Sequence, residues 1–154
     1  MTHKNKGFTL VEILIVVIIL GILAAIVIPQ FTNASDDARK SALASDLQSL
    51  RSQIELYKIQ HHDRGPNIDE NGDEENDADN FVDRLTGTTD EWGDMTKSGK
   101  GPYMQEFPAN PFADTDVQRT VTFDDPDGDG SVAGWYYDTA TDTIEPTATG
   151  DEDE

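Results

Sequence analysis

The sequence predicts an α+β chain: a long amino-terminal helix, membrane-spanning and then amphipathic, packed on a small carboxy-terminal antiparallel sheet with long loops. Three observations predict it. Ile13 to Ile28 reads ILIVVIILGILAAIVI, without one polar side chain. From Phe31 the apolar residues fall to three- and four-residue spacing. Alternating β-branched and aromatic residues appear only after Arg119.

The first run is apolar around its whole circumference, which excludes a surface helix of a soluble domain. From Phe8 to Ile28 a helix would extend about 30 Å, one hydrocarbon core. Lys4 and Lys6 precede it with no acid among Met1–Gly7, so the short leader is expected on the cytoplasmic side. A secretory signal peptide has a shorter apolar core ending at small residues. Here Pro29-Gln30-Phe31 follows instead. Glu12 is the residue a plain anchor does not explain. A carboxylate in such a segment costs up to about 3 kcal/mol near the helix centre, less at an interface, and calls for a partner. Cleavage after Gly7 would create one: a positively charged amine at Phe8, four residues from Glu12 and within reach from a neighbouring copy shifted by one step.

Gly7-Phe8-Thr9-Leu10-Val11-Glu12 resembles the processing and methylation signature of type IV pilins and type II secretion pseudopilins. The resemblance implies that a prepilin peptidase cuts after Gly7 and methylates Phe8. It further implies that Glu12 pairs with a neighbour's terminal amine during assembly. Gly21 and Pro29 match the glycine and proline that loosen or kink the first helix of many members. The likeness covers about Lys6 to Tyr57 and beyond that rests on short echoes of G-type pseudopilins, at 101–112 and 134–138. The implied fold is pilin-like. The implied partners are further copies of the chain in a homopolymer, the inner-membrane assembly platform, minor pilins and the membrane itself.

The helix is expected to bend at Pro29 and continue with Leu43, Leu47, Leu50, Ile54 and Tyr57 on one apolar stripe. Gly65-Pro66 reads as its stop. His61-His62 reads as a solvated pair, because adjacent residues at a fraying helix end do not converge on one ion. Residues 67–80, NIDENGDEENDADN, have the composition of a loop or a disordered segment. A short helix is predicted at Asn80–Leu85, with Gly87 as its stop. In 90–101, Trp92 and Met95 are the expected anchors, and 101–112 is a proline-punctuated connector laid over the core. Strands are predicted at 119–123, 132–137 and 143–145. The chain thus divides into a leader (1–7), a membrane or filament-core helix (8–28), its amphipathic continuation (29–62), an acidic loop and connector region (63–118), a small sheet (119–145) and an acidic tail (146–154).

The net charge is −20, from 31 acids against 11 Lys and Arg, and only five of the acids precede residue 60. This excludes a nucleic-acid-binding patch of clustered cations. It points to cations as partners or to a saline working solvent, in which repulsion between copies is screened. A halophilic source is a hypothesis; filaments equally stable without added salt would count against it. With no cysteine, no disulfide can close the exported part, unlike many type IV pilins.

Asp125, Asp127, Asp129 and Gly130 fit the opening D-x-D-x-D-G of a calcium loop. Tyr136 stands where a twelfth-position glutamate would complete an EF-hand. Backbone carbonyls, Asp138 or distant acids would have to supply the missing ligands. The other reading is an acidic hairpin turn in an acidic chain. The resemblance implies Ca²⁺, since major pseudopilins hold a calcium ion in this region. Asn67, Asp69, Asn71 and Asp73 form a weaker cluster of the same kind. Nothing has the spacing of a catalytic set: there is no thiol, and the histidines are His3, His61 and His62.

The sequence therefore reads as a structural, non-enzymatic filament subunit, made as a single-pass inner-membrane precursor and then built into a periplasmic or extracellular fibre. A type II secretion major pseudopilin is the leading form. The alternatives are a surface pilus for adhesion, motility or uptake, and a membrane-anchored cation-binding module that never polymerises.

Overall fold

A computed structural model describes residues 7–75, 77–123 and 133–150, with the side chains of 29–33 left out. Two compact units are distinguished, one up to Ala38 and one from Arg39. Helix α1 (Leu10–Gln60) contributes to both. Gly21 and Pro29 both fall inside it.

The first unit is an apolar helix with its large side chains in the open. Phe8 is 84 % exposed, and every Leu, Ile and Val from Leu10 to Ile28 is exposed. By length and composition Leu10–Ile28 is able to cross a membrane, the only such stretch among the described residues.

The second unit is the head. Leu43, Leu50, Ile54 and Tyr57 recur at helical spacing on one face of α1 and are buried. Against them pack Phe81 and Leu85 of α2 (Ala78–Thr86), Phe107, Val121 of β1 (Val121–Thr122), Trp135 and Tyr137 of β2 (Trp135–Asp138) and Ile144 of β3 (Thr143–Pro146). Helix α2 starts at Asp77, whose carboxylate accepts the Asn80 N–H, and stops at Gly87, whose N–H donates to the Asp83 carbonyl. Its buried residues Phe81, Arg84 and Leu85 stand at the i, i+3, i+4 positions of one face.

The sheet order is β1-β2-β3. β2 and β3 pair antiparallel, with Tyr137 opposite Ile144 and Asp138 opposite Thr143, across the expected turn. β1 differs from expectation: it pairs parallel to β2, with Val121 opposite Trp135. The sheet is mixed, not wholly antiparallel. The reason lies in the connector. Buried Asn110 donates from Nδ2 to the Gly134 and Ala148 carbonyls, and its own N–H donates to the Gln118 carbonyl. This brings residues 118–120 alongside the start of β2. Gly134 permits the approach, because a Cβ there would collide with the Gln118 carbonyl. β1 and β2 are therefore not the two arms of one hairpin, and residues 124–132 between them lie outside the described residues.

Helix α1 also ends differently. It stops at Gln60, ahead of Gly65-Pro66. His62 and Asp63 take left-handed backbone, φ 57° and 64°. The Asp63 N–H returns to the Lys58 carbonyl at 2.9 Å, the six-to-one bond of a helix C-terminus.

Residues 67–75, expected as loop or disorder, are pinned. The Arg84 side chain is 2 % exposed and donates to the Pro66 carbonyl at 2.9 Å and to Glu75 at 2.6 Å. The Glu75 N–H donates to the Asn67 carbonyl at 2.7 Å. One buried guanidinium thus orders a segment whose composition alone would leave it free.

Candidate functional site: the start of the first helix

Helix α1 begins with a reciprocal hydrogen-bonded pair. The Thr9 N–H and the Thr9 hydroxyl both donate to Glu12 Oε2, each at 2.8 Å, and the Glu12 N–H donates to Thr9 Oγ1 at 3.2 Å. The Thr9 carbonyl accepts the first helical bond from Ile13. Thr9 is therefore the N-cap and Glu12 the third residue of the first turn, a capping box. The Thr-Leu-Val-Glu spacing carries this signal in the sequence, yet reading Glu12 only as a residue in want of a distant partner passes over Thr9.

The arrangement has a chemical consequence. Both donors fall on Oε2, and Oε1 has no partner among the described residues. A carboxylate at the positive end of a helix is favoured by the helix dipole. Its own turn satisfies one of its two oxygens. Gly7 and Phe8 lie next to it, exposed and ahead of the helix, accessible to a processing enzyme.

The expected cation sites fare differently. Asp125, Asp127 and Asp129 lie outside the described residues. Asp138 turns into its own loop: it accepts the Ala140 N–H at 2.8 Å and the Thr141 hydroxyl at 2.7 Å. The Thr141 bond is the main reason its carboxyl is held below the ordinary range. In the weaker cluster, Asp69 accepts from Asn71 N–H, Asn71 Nδ2 and Asp73 N–H, while Asn67 is buried. The Asp69 and Asn71 side chains thus bond within their own turn, whereas the buried Asn67 Oδ1 has no hydrogen-bond partner among the described residues. Among the described residues no group of three or more His, Asp or Glu could hold a metal ion.

The two histidines are not a solvated pair. His62 is exposed and stacks on Trp92 at 4.3 Å, whereas His61 is fully buried between α1 and the following loops. Its neighbour Tyr57 fills the apolar position the ring covers. Nor do Trp92 and Met95 anchor their loop, being 43 % and 39 % exposed. That work falls to Asp90, which accepts from the Trp92 and Asp94 N–H groups and from Lys97, and to Asp94, which accepts from Thr96 and Lys97.

Comparison with known proteins agrees with the helix start. Residues 2–28 match the family model described as the prokaryotic N-terminal methylation motif. The chain is similar to type II secretion system core protein G of Escherichia coli strain K12, 38 % identical over 61 residues, which covers 40 % of this chain and 42 % of that one. It is 41 % identical over 59 residues to the protein of the same name from Dickeya chrysanthemi, covering 38 % and 39 %. Against that from Pseudomonas aeruginosa the identity is 40 % over 57 residues, covering 37 % and 40 %. The chain spans about two fifths of the length of the curated relatives it matches. No solved structure matches.

Proposed function

We propose that the chain is a structural subunit, not an enzyme, of a type II secretion pseudopilus: the major, G-type pseudopilin. It is made with its apolar helix in the inner membrane, cut after Gly7 by a prepilin peptidase and methylated at Phe8. It then polymerises through Phe8–Ile28. Packing of the apolar side chains against neighbouring copies in place of lipid supplies cohesion. Lipid already covers those side chains, so burial alone does not set the stagger between copies. The carboxylate of Glu12, capped on one oxygen and open on the other, sets it by taking a neighbour's Phe8 amine.

The observation that carries this reading is the Gly7-Phe8 junction standing directly before a capping box whose Glu12 has one oxygen without a partner among the described residues. Co-expression with a prepilin peptidase and the assembly platform tests it. The mature amino terminus should be Phe8, sheared preparations should contain fibres, and Glu12→Ala should yield processed protein without fibres. Wild-type protein that is cut but stays monomeric would defeat the filament reading.

Calcium binding by the 125–129 turn remains a proposal supported by the Asp-x-Asp-x-Asp-Gly spacing. Asp138 accepts one bond on each oxygen, from Ala140 and Thr141, and would join it with the lone pairs that remain. Thermal melting with and without EGTA tests it; an unchanged midpoint removes the site.

A further inference from the structure

We infer that His61 is an acid-released latch holding the neck of the 89–100 loop to the end of α1. The ring is fully buried. Tyr57, one turn earlier on α1, stacks on it at 3.7 Å and 10°. Tyr103 of the connector meets it edge-on at 6.0 Å. Nδ1 lies 2.8 Å from the Tyr57 carbonyl and Nε2 lies 2.8 Å from Thr89 Oγ1.

These partners fix the proton. A carbonyl only accepts, so Nδ1 carries the hydrogen. Nε2 then has a lone pair and accepts the Thr89 hydroxyl. Thr89 is itself fully buried. Its N–H and carbonyl pair with the carbonyl and N–H of Lys100, at 3.2 and 2.9 Å, and this closes the loop at its base. The imidazole thus holds the neck at least cost while it is neutral. A proton on Nε2 makes both nitrogens donors, forces the Thr89 hydroxyl to reverse, and puts a charge between two phenol rings.

The facing groups decide how readily that happens. From the loop, Asp90 favours the charged ring and Lys100 opposes it; burial outweighs both and holds the imidazole below its ordinary value. From α1, the Tyr57 phenol is pushed up to about 12 by its own burial and stays neutral. Arg84 of α2 acts on that phenol from the far side. Burial likewise raises Tyr103 to about 12. Within the loop, Asp94 is held down to about 2, first by its bond from Lys97, and Asp90 is also held below the ordinary range. The carboxylate clasp therefore stays charged while the histidine titrates. The sign follows: a folded-state value below the unfolded one, about 6.5, means that the neck's stability is full above that pH and is lost as pH falls below it. What is released carries Trp92, exposed against His62 and under the Arg64 guanidinium at 5.1 Å. Acidification would change the surface this loop presents. The inference does not rest on polymerisation.

Amide hydrogen exchange at Thr89 and Lys100, on the full chain in detergent micelles and corrected for intrinsic rates, tests the latch. Wild-type protection should fall by roughly ten-fold from about pH 7 to about pH 5. His61→Gln, which keeps two polar atoms without titrating, should flatten that dependence. Asp94→Asn should leave the slope as in wild type. Imidazole titration by NMR on the wild type needs no variant, and His61 should titrate below the ordinary histidine value of about 6.5. Flat wild-type protection, a wild-type slope in His61→Gln, or a His61 midpoint at or above about 6.5 would overturn the latch.

Discussion

Lys58 on α1 donates to Asp142 in the β2–β3 turn, Nζ to Oδ2 at 3.0 Å, and the same aspartate accepts the Tyr137 hydroxyl at 3.1 Å. Asp142 holds a left-handed backbone, φ 55°, which Asp and Asn tolerate better than other side chains. The sheet's turn is thus fastened to the helix by one lysine. The Asp142 bond also holds the Lys58 ammonium above its ordinary value. Asp142→Asn keeps the backbone and removes the charge. Because Asp142 is 42 % exposed, the expected coupling to Lys58 is about 1 kcal/mol or less. A urea-unfolding cycle with Lys58→Met measures it, and a coupling of zero refutes the fastening. The raised value sets the sign: the contribution is full at neutral pH and fades only above about pH 10.4.

The capping box separates two roles that Glu12 combines. Thr9→Ala removes the hydroxyl half of the box and should cost the first turn about 1 kcal/mol. It leaves the Thr9 backbone donor and the free Oε1 in place. Fibre yield should drop without vanishing, whereas Glu12→Ala should abolish it. Quantifying sheared fibres from both variants checks the order; equal yields would show that the cap has no part in presenting the carboxylate.

Asn110 is the residue on which the parallel pairing depends. Asn110→Ala leaves the Gly134 and Ala148 carbonyls and the Phe112 N–H without the side chain that serves them. The expected loss is about 3 kcal/mol, read from the urea midpoint. Asn110→Asp keeps the acceptor for Phe112 but sets a buried carboxylate oxygen against the Gly134 and Ala148 carbonyls, so at neutral pH it should lose more than alanine does.

Strong acid acts at a different place from mild acid. Asp94 and Asp90 have depressed folded-state values, so their contribution is present above about pH 3.9 and is lost as pH falls through the folded values. For Asp94 that is about 2. Loss of order in 89–100 between about pH 4 and pH 2 should shrink in Asp94→Asn. Intrinsic fluorescence of Trp92 follows it, and an unaltered acid transition in the variant would exclude the clasp as its cause.

The long helix was legible because its cause is local: an unbroken apolar run, then a stripe at helical period. The short helix at 78–86 and its glycine stop were legible for the same reason, and so was the hairpin from Trp135 to Pro146. What escaped depends on contacts distant in sequence. Parallel pairing of β1 requires Asn110 to bridge Gln118 and Gly134, and no local pattern announces a bridge of that span. His61 read as solvated because it stands beside His62 at what looked like a fraying helix end, yet a single helical step puts one ring inside and the other out. The Thr9–Glu12 cap was legible in principle, since its four-residue spacing is a standing helix-start signature. The calcium turn at 125–129 lies outside the described residues and rests on spacing alone.

The buried Arg84 gives the chain between the two helices an unexpected property. Composition would mark residues 67–75 as an easy target for proteolytic nicking. Yet Arg84 grips Pro66 and Glu75, and Glu75 returns to Asn67, so both ends of the stretch are tied down. A protease needs a length of backbone it can draw out into its cleft. Here that length becomes free only when α2 itself lets go, so resistance to digestion in a hostile exterior follows from one guanidinium and not from any shortage of cleavable bonds.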